Sequence, residues 1–158
     1  MAKAIVIYYS RGGNTKKMAE VFARAMKKEG MDVAVKDVKD VKPAELQDYE
    51  AIVIGSPTYY GAMAAEIKKL LDDSVKFHGK LDGKVGAAFS TSANIAGGNE
   101  TTIVGLLNAM LIHGMIIQGD WQGDHSGPVS IGAPDDRAIK NCERFASRIG
   151  KLVVKIFG

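Results

Sequence analysis

The sequence has a single cysteine, Cys142, among 158 residues. One thiol excludes an internal disulfide framework and any metal site built from several cysteines. Proline is sparse at 4 residues, and no Pro-, Gly- or Ser-rich stretch, repeat or low-complexity run divides the chain. A single domain over 1–158 is therefore expected. Long apolar runs are also missing. Ala4 to Tyr9 is the longest near the N-terminus, below the roughly 7–15 residues of a signal h-region. Nothing approaches the ~18 residues of a membrane span, so the expectation is a cytoplasmic protein with no membrane span. Strong charge of one sign is absent too: 21 basic against 18 acidic residues leave +3. The basic residues are scattered along helices with no interleaved aromatics, which argues against a nucleic-acid partner. Finally, neither GxxxxGK nor GxGxxG occurs, which excludes a Walker loop and the dinucleotide fingerprint.

What is present is an alternation of strands and helices. Candidate strands are Lys3 to Tyr9, Asp32 to Val38, Ala51 to Gly55, Lys84 to Ser90 and Gly114 to Gln118. Ile5-Val6-Ile7 and Ile52-Val53-Ile54 are continuous β-branched runs, the mark of parallel strands covered on both faces. Helical stripes lie between them: Met18, Phe22, Ala25 and Met26; Met63, Ile67, Leu70 and Leu71; Ile103, Leu106, Leu107 and Met110; and Ile139 through Ile156. All four read as core packing. Cys142 falls on the last stripe beside Phe145 and Ile149, where an apolar setting keeps a thiol unreactive. The predicted fold is α/β, a doubly wound five-stranded parallel sheet. In such sheets ligands gather beyond the carboxyl ends of the strands.

Three strand ends carry chemistry. The first reads Ser10-Arg11-Gly12-Gly13-Asn14-Thr15 and runs straight into a helix. Free backbone amides, hydroxyls and the positive end of the helix dipole make an anion cradle there, although an ordinary capped turn has the same letters. The third strand ends Pro57-Thr58-Tyr59-Tyr60-Gly61. Adjacent tyrosines on a loop suit a planar ring by offset stacking, or else cover helix ends. The fourth ends Ser90-Thr91-Ser92-Ala93-Asn94, with Gly97 and Gly98 following, a loop able to bring amides close to a ligand. In a sheet of order 2-1-3-4-5 these strands are neighbours. One phosphate, a linker and a planar acceptor-rich ring describe the ligand of such a crevice, and FMN matches.

These motifs resemble the flavodoxin-like superfamily, and within it the WrbA-type NAD(P)H:quinone oxidoreductases, nearly end to end. The stretch YYSRGGNT is similar to that family's phosphate loop, GSPTYYG to its second flavin loop and FSTSANIAGGNE to its third. Ile112-His113-Gly114-Met115 resembles a further motif whose histidine touches the flavin. The resemblance implies FMN contacts at Ser10 to Thr15, Pro57 to Gly61, Ser90 to Asn94, Gly97 and His113. His113 also stands where a histidine and a following glycine suit the end of a helix. NADH or NADPH is the implied donor, a quinone the implied acceptor and a homo-oligomer the implied assembly. The family's insertion after the second strand is missing, however, because only Lys39 to Glu50 bridges to the third. That insertion helps build the family's tetramer, so the number of subunits stays open. The family's aromatic wall of the substrate site has only Phe77 and His78 in the matching segment, so no catalytic residue carries over. Trp121 is an alternative wall or a packing residue.

Charge separates the remaining readings. A phosphoacceptor receiver needs carboxylates where Tyr9-Ser10 and Gly55-Ser56 stand, and is excluded. A flavodoxin-type electron carrier keeps its ring surrounded by acidic residues, since like charges oppose further reduction. Residues 10–15, 56–65 and 90–99 hold no Asp or Glu and one Arg, and the sequence pI is about 8.9. An FMN-dependent oxidoreductase is therefore the favoured expectation, with the carrier as the alternative.

Overall fold

The computed structural model describes residues 1–158. Its strands are β1 (Lys3–Tyr8), β2 (Asp32–Asp37), β3 (Ala51–Tyr59), β4 (Ala62–Met63), β5 (Val85–Ser92), β6 (Ile116–Ile117) and β7 (Val129–Ile131). Its helices are α1 (Asn14–Lys28), α2 (Ala65–Asp73), α3 (Asn99–Ile112) and α4 (Asp136–Phe157), with short 3-10 turns at Val38–Asp40, Pro43–Asp48 and Ser74–Phe77. The sheet order is β2-β1-β3-β5-β6, which is the expected 2-1-3-4-5 once the added hairpin strand β4 is set aside. All of these pairings are parallel.

The continuous apolar runs are used on both faces. Ala4, Val6 and Tyr8 point into one core cluster with α1 and α4, while Ile5 and Ile7 point into the other with α2 and α3. In the first cluster the Phe22 ring stacks on Phe89 at 5.7 Å and meets Phe145 edge-on at 6.0 Å. Phe89 lies so close over Gly55 that a Cβ there would come within 2.1 Å of its ring. Cys142 is fully buried, and burial pushes its thiol far up from its ordinary value.

Two parts of the sheet differ from the sequence expectation. First, β3 and β5 run further than read, so Ser56 to Tyr59 and Thr91 to Ser92 belong to strands rather than loops. The reason is that ladder pairing continues from Gly55↔Phe89 through Pro57↔Thr91. Second, the expected fifth strand is two pieces. β6 pairs with the start of β5 and β7 with its end, and the polar segment 118–128 bulges out between them to lean on α4.

Candidate functional site at the carboxyl ends of the strands

The first strand end is built as an open cradle. Gly13 takes a left-handed φ of 96° at the N-cap of α1, and nothing lies within 4 Å of where a Cβ would stand on Gly12 or Gly13. The Ser10 hydroxyl accepts from the amides of Gly13 at 3.0 Å and Lys16 at 3.3 Å, closing the first turn of α1. The amides of Gly12, Asn14 and Thr15 have no acceptor in the chain, and no acidic residue stands in that turn. Unpaired amides at a helix start carry partial positive charge, so the cradle suits an anion.

Thr15 is buried and shares a 2.9 Å hydrogen bond with Thr91 at the end of β5. Two hydroxyls need only one hydrogen between them, which leaves the other for a third acceptor. This bond ties the first strand end to the fourth.

At the end of β3, Thr58↔Met63 and Tyr59↔Ala62 pair antiparallel with β4. Tyr60 and Gly61 make the turn with φ of 50° and 76°, the two left-handed positions of a type I′ hairpin. Tyr60 is not glycine, so its conformation is strained, and its side chain is wholly exposed. Tyr59 is engaged elsewhere. The Arg11 guanidinium lies 5.2 Å over its ring and Tyr9 meets it edge-on at 6.3 Å. Of the two tyrosines, Tyr60 is the one with faces free to receive a planar group.

The fourth strand end is shaped from within. Ser90 Oγ donates to the Asn99 carbonyl, Ser92 Oγ donates to the Asn94 carbonyl, and Asn99 Nδ2 donates to Ser92 Oγ. Ala93 to Ala96 are exposed, Ile95 strongly so. The loop touches the Tyr60 turn at its base: a Cβ on Gly98 would come within 2.7 Å of the Gly61 Cα. Thr101 Oγ1 donates to the Gly61 carbonyl at 2.6 Å, and Thr102 Oγ1 donates to Thr58 Oγ1 at 3.2 Å. Sequence reasoning missed this pair of threonines. The signal was their place just after Gly97-Gly98-Asn99-Glu100, at the start of α3.

Ser10 to Thr15, Pro57 to Gly61, Ser90 to Asn94 and Gly97 thus come together at one end of the sheet. His113 does not. α3 begins at that end and runs back along the sheet, so its C-cap, His113, lies at the opposite edge, where Gly83 donates to the Gly114 carbonyl and Ile116 pairs with Val85. The cause is the right-handed crossover itself, which returns each helix to the amino end of the next strand. His113, expected to contact the flavin, therefore lies away from the three converging strand ends. Its Nε2 sits 2.8 Å from Ser74 Oγ, whose own hydrogen goes to the Leu71 carbonyl. The ring therefore donates from Nε2 and leaves Nδ1 buried without a partner. Burial, and then His78, lower the pKa of His113.

A groove of about 420 Å³ opens beside Ser10, between Val38 to Pro43 and α2. It is lined by Tyr9, Val38 and Leu70 with Lys39, Lys69, Asp37, Glu66 and Asp73. Lys69 pairs with Asp73 at 2.7 Å and Lys39 approaches Asp37 at 3.9 Å, so most of its charge is internally compensated.

Comparison with known proteins agrees with this geometry. The Flavodoxin domain family matches residues 5–109. An NAD(P)H dehydrogenase (quinone) of Archaeoglobus fulgidus is 31% identical over 190 aligned positions, covering 99% of this chain and 100% of that one. A flavodoxin of Clostridium saccharobutylicum is 33% identical over 161 positions, covering 98% and 99%. The solved structure of a flavodoxin from the domain Archaea superposes with a TM-score of 0.80 at 32% identity, covering 96% and 99%. The dehydrogenase alignment is longer than this chain, so that relative carries residues this chain lacks. The matched segment covers more than half the sequence and contains all three converging strand ends, and the chain accordingly belongs to the flavodoxin family.

Proposed function

We propose that the chain binds FMN at this site and works as an NAD(P)H-dependent oxidoreductase that passes electrons to quinone-type acceptors. The cradle at Gly12, Asn14 and Thr15 receives the phosphate, with Ser10 holding the loop in shape. Tyr60 covers one side of the ring, and the close approach of Gly98 to Gly61 keeps the second and third loops apart by a fixed distance at their base. Bound there, FMN would supply hydride acceptance and electron transfer, the chemistry that flavins contribute to such proteins. The observation that carries the enzyme reading is electrostatic: the three loops hold no carboxylate, and Arg11 is anchored on Tyr59 at their edge. A cation there favours negative charge on a bound ring and draws in an anionic dinucleotide. The dehydrogenase relative supports the donor and the acceptor class.

The carrier reading keeps one specific support. The flavodoxin relative matches this chain at nearly the same length, whereas the dehydrogenase relative is longer. Anaerobic titration with NADH and NADPH separates the two. The expected outcome is direct bleaching of the flavin band, a dithionite titration that proceeds as one two-electron step, and quinone turnover that slows as salt screens the steering over about 8–10 Å. No bleaching by either nicotinamide, with two well-separated one-electron steps, assigns the chain to the carriers.

A further inference from the structure

Six of the 21 basic residues that look scattered in the sequence line up on one helix. Arg137, Lys140, Arg144, Arg148, Lys151 and Lys155 follow one another along α4 at spacings of three and four residues. At 3.6 residues per turn they share one arc of about 80° and extend over about 27 Å. No Asp or Glu falls inside that arc. Arg137 is paired with Asp124 and Arg144 with the buried Asp120. Lys140, Arg148, Lys151 and Lys155 have no carboxylate partner, although Arg148 Nε donates to the Gly119 carbonyl.

The segment 118–128 lies along this stripe and is fixed to it by those same arginines. Between them runs a groove of about 400 Å³ lined by Gln118, Gln122, Arg144, Ser147, Arg148 and Lys151. Asp120, paired with Arg144, also lines the groove. Trp121, between Asp120 and Gln122 in the sequence, is 75% exposed, and Gln118 Oε1 is buried with no partner.

We propose that α4 and the 118–128 segment form a docking surface for an acidic protein partner, a role separate from the flavin site. Uncompensated cations in a row call for a surface of opposite charge. An exposed tryptophan beside a groove of amide and hydroxyl groups is the composition of a protein interface rather than a bare charge patch. Two other anionic partners fit less well. The apolar side of α4, with Cys142, Phe145, Ile149 and Val153, is buried in the core. The exposed Val154, Ile156 and Phe157 are confined to the last turn and point in different directions around it, so the helix has no continuous apolar face to insert into a bilayer. Asp136 and Glu143 border the arc and oppose a continuous phosphate backbone, whereas a protein surface can set cations against them.

The test uses the flavin-loaded protein and two helical peptides of one composition. One carries glutamates on a single face at positions i, i+4, i+7 and i+11, and the other is scrambled. The patterned peptide is expected to bind at least fivefold more tightly. Lys151→Glu with Lys155→Glu is expected to weaken it at least tenfold and flatten the salt dependence, with the flavin spectrum unchanged. Lys76→Glu with Lys80→Glu, the same charge change on exposed residues outside α4, is expected to weaken it less than threefold. Equal binding of the two peptides, or equal loss in the two double variants, overturns the proposal. So does tighter binding of duplex DNA or of phosphatidylglycerol vesicles than of the patterned peptide. None of these readouts depends on whether NADH or NADPH reduces the flavin.

Discussion

Thr15 and Thr91 stand at the centre of the site, because their shared hydrogen bond joins the cradle to the end of β5. Thr15→Val removes that bond and one hydroxyl from the vicinity of a bound phosphate. A hydrogen bond to a charged group contributes about 1.5–3 kcal/mol, so the FMN dissociation constant should rise roughly ten- to a hundredfold, read by fluorescence titration. Tyr60→Ala should remove about 0.5–1.5 kcal/mol of ring contact beyond its area and lessen the quenching of flavin fluorescence. Tyr59→Ala should instead act through Arg11, which loses its resting place. The cradle was legible in the sequence because a helix start after a strand is a local signal in adjacent residues. The division of labour between the tyrosines was not legible. It depends on Arg11 reaching Tyr59 across β1 and β3, and the turn angles at Tyr60 and Gly61 leave no trace in the letters.

Among the elements, β3 and β5 hold the three strand ends in register, and Gly55 is the tightest point between them. Gly55→Ala would drive a methyl into the Phe89 ring. Overpacking of this kind costs about 1–3 kcal/mol, visible as a lower urea midpoint with little change in its slope. At the far end of α3, His113 gives the fold a pH dependence. Its pKa is lowered in the folded chain, so below about 6.5 the unfolded chain binds more protons and stability falls as the pH drops. Above that value the histidine is neutral in both states and the effect vanishes. His113→Gln should flatten the difference between urea midpoints at pH 5.5 and 7.5. An equally steep loss in the variant would place the dependence on another group. The helices and four of the five expected strands could be read from periodicity. The split of the fifth into β6 and β7 could not, because Val129 to Ile131 is too short to stand out and is a strand only through pairing with Ser90 to Ser92.

Across the whole molecule, the fold class followed from apolar runs that serve two faces at once. The distribution of charge over that fold did not. A net charge of +3 conceals a cationic row along α4, which exists only once that helix is formed, whereas the absence of carboxylates from the three loops was already plain in the letters. The interrupted edge of the sheet carries a consequence of another kind. A long, straight outermost strand offers unpaired backbone groups to any other strand and seeds aggregation. Here the outermost strands are fragments of two and three residues, separated by a segment that Asp120 and Asp124 pin sideways onto α4. The sheet thereby offers little edge for pairing on that side, which removes one route to aggregation for a parallel, slow-to-assemble topology while it folds.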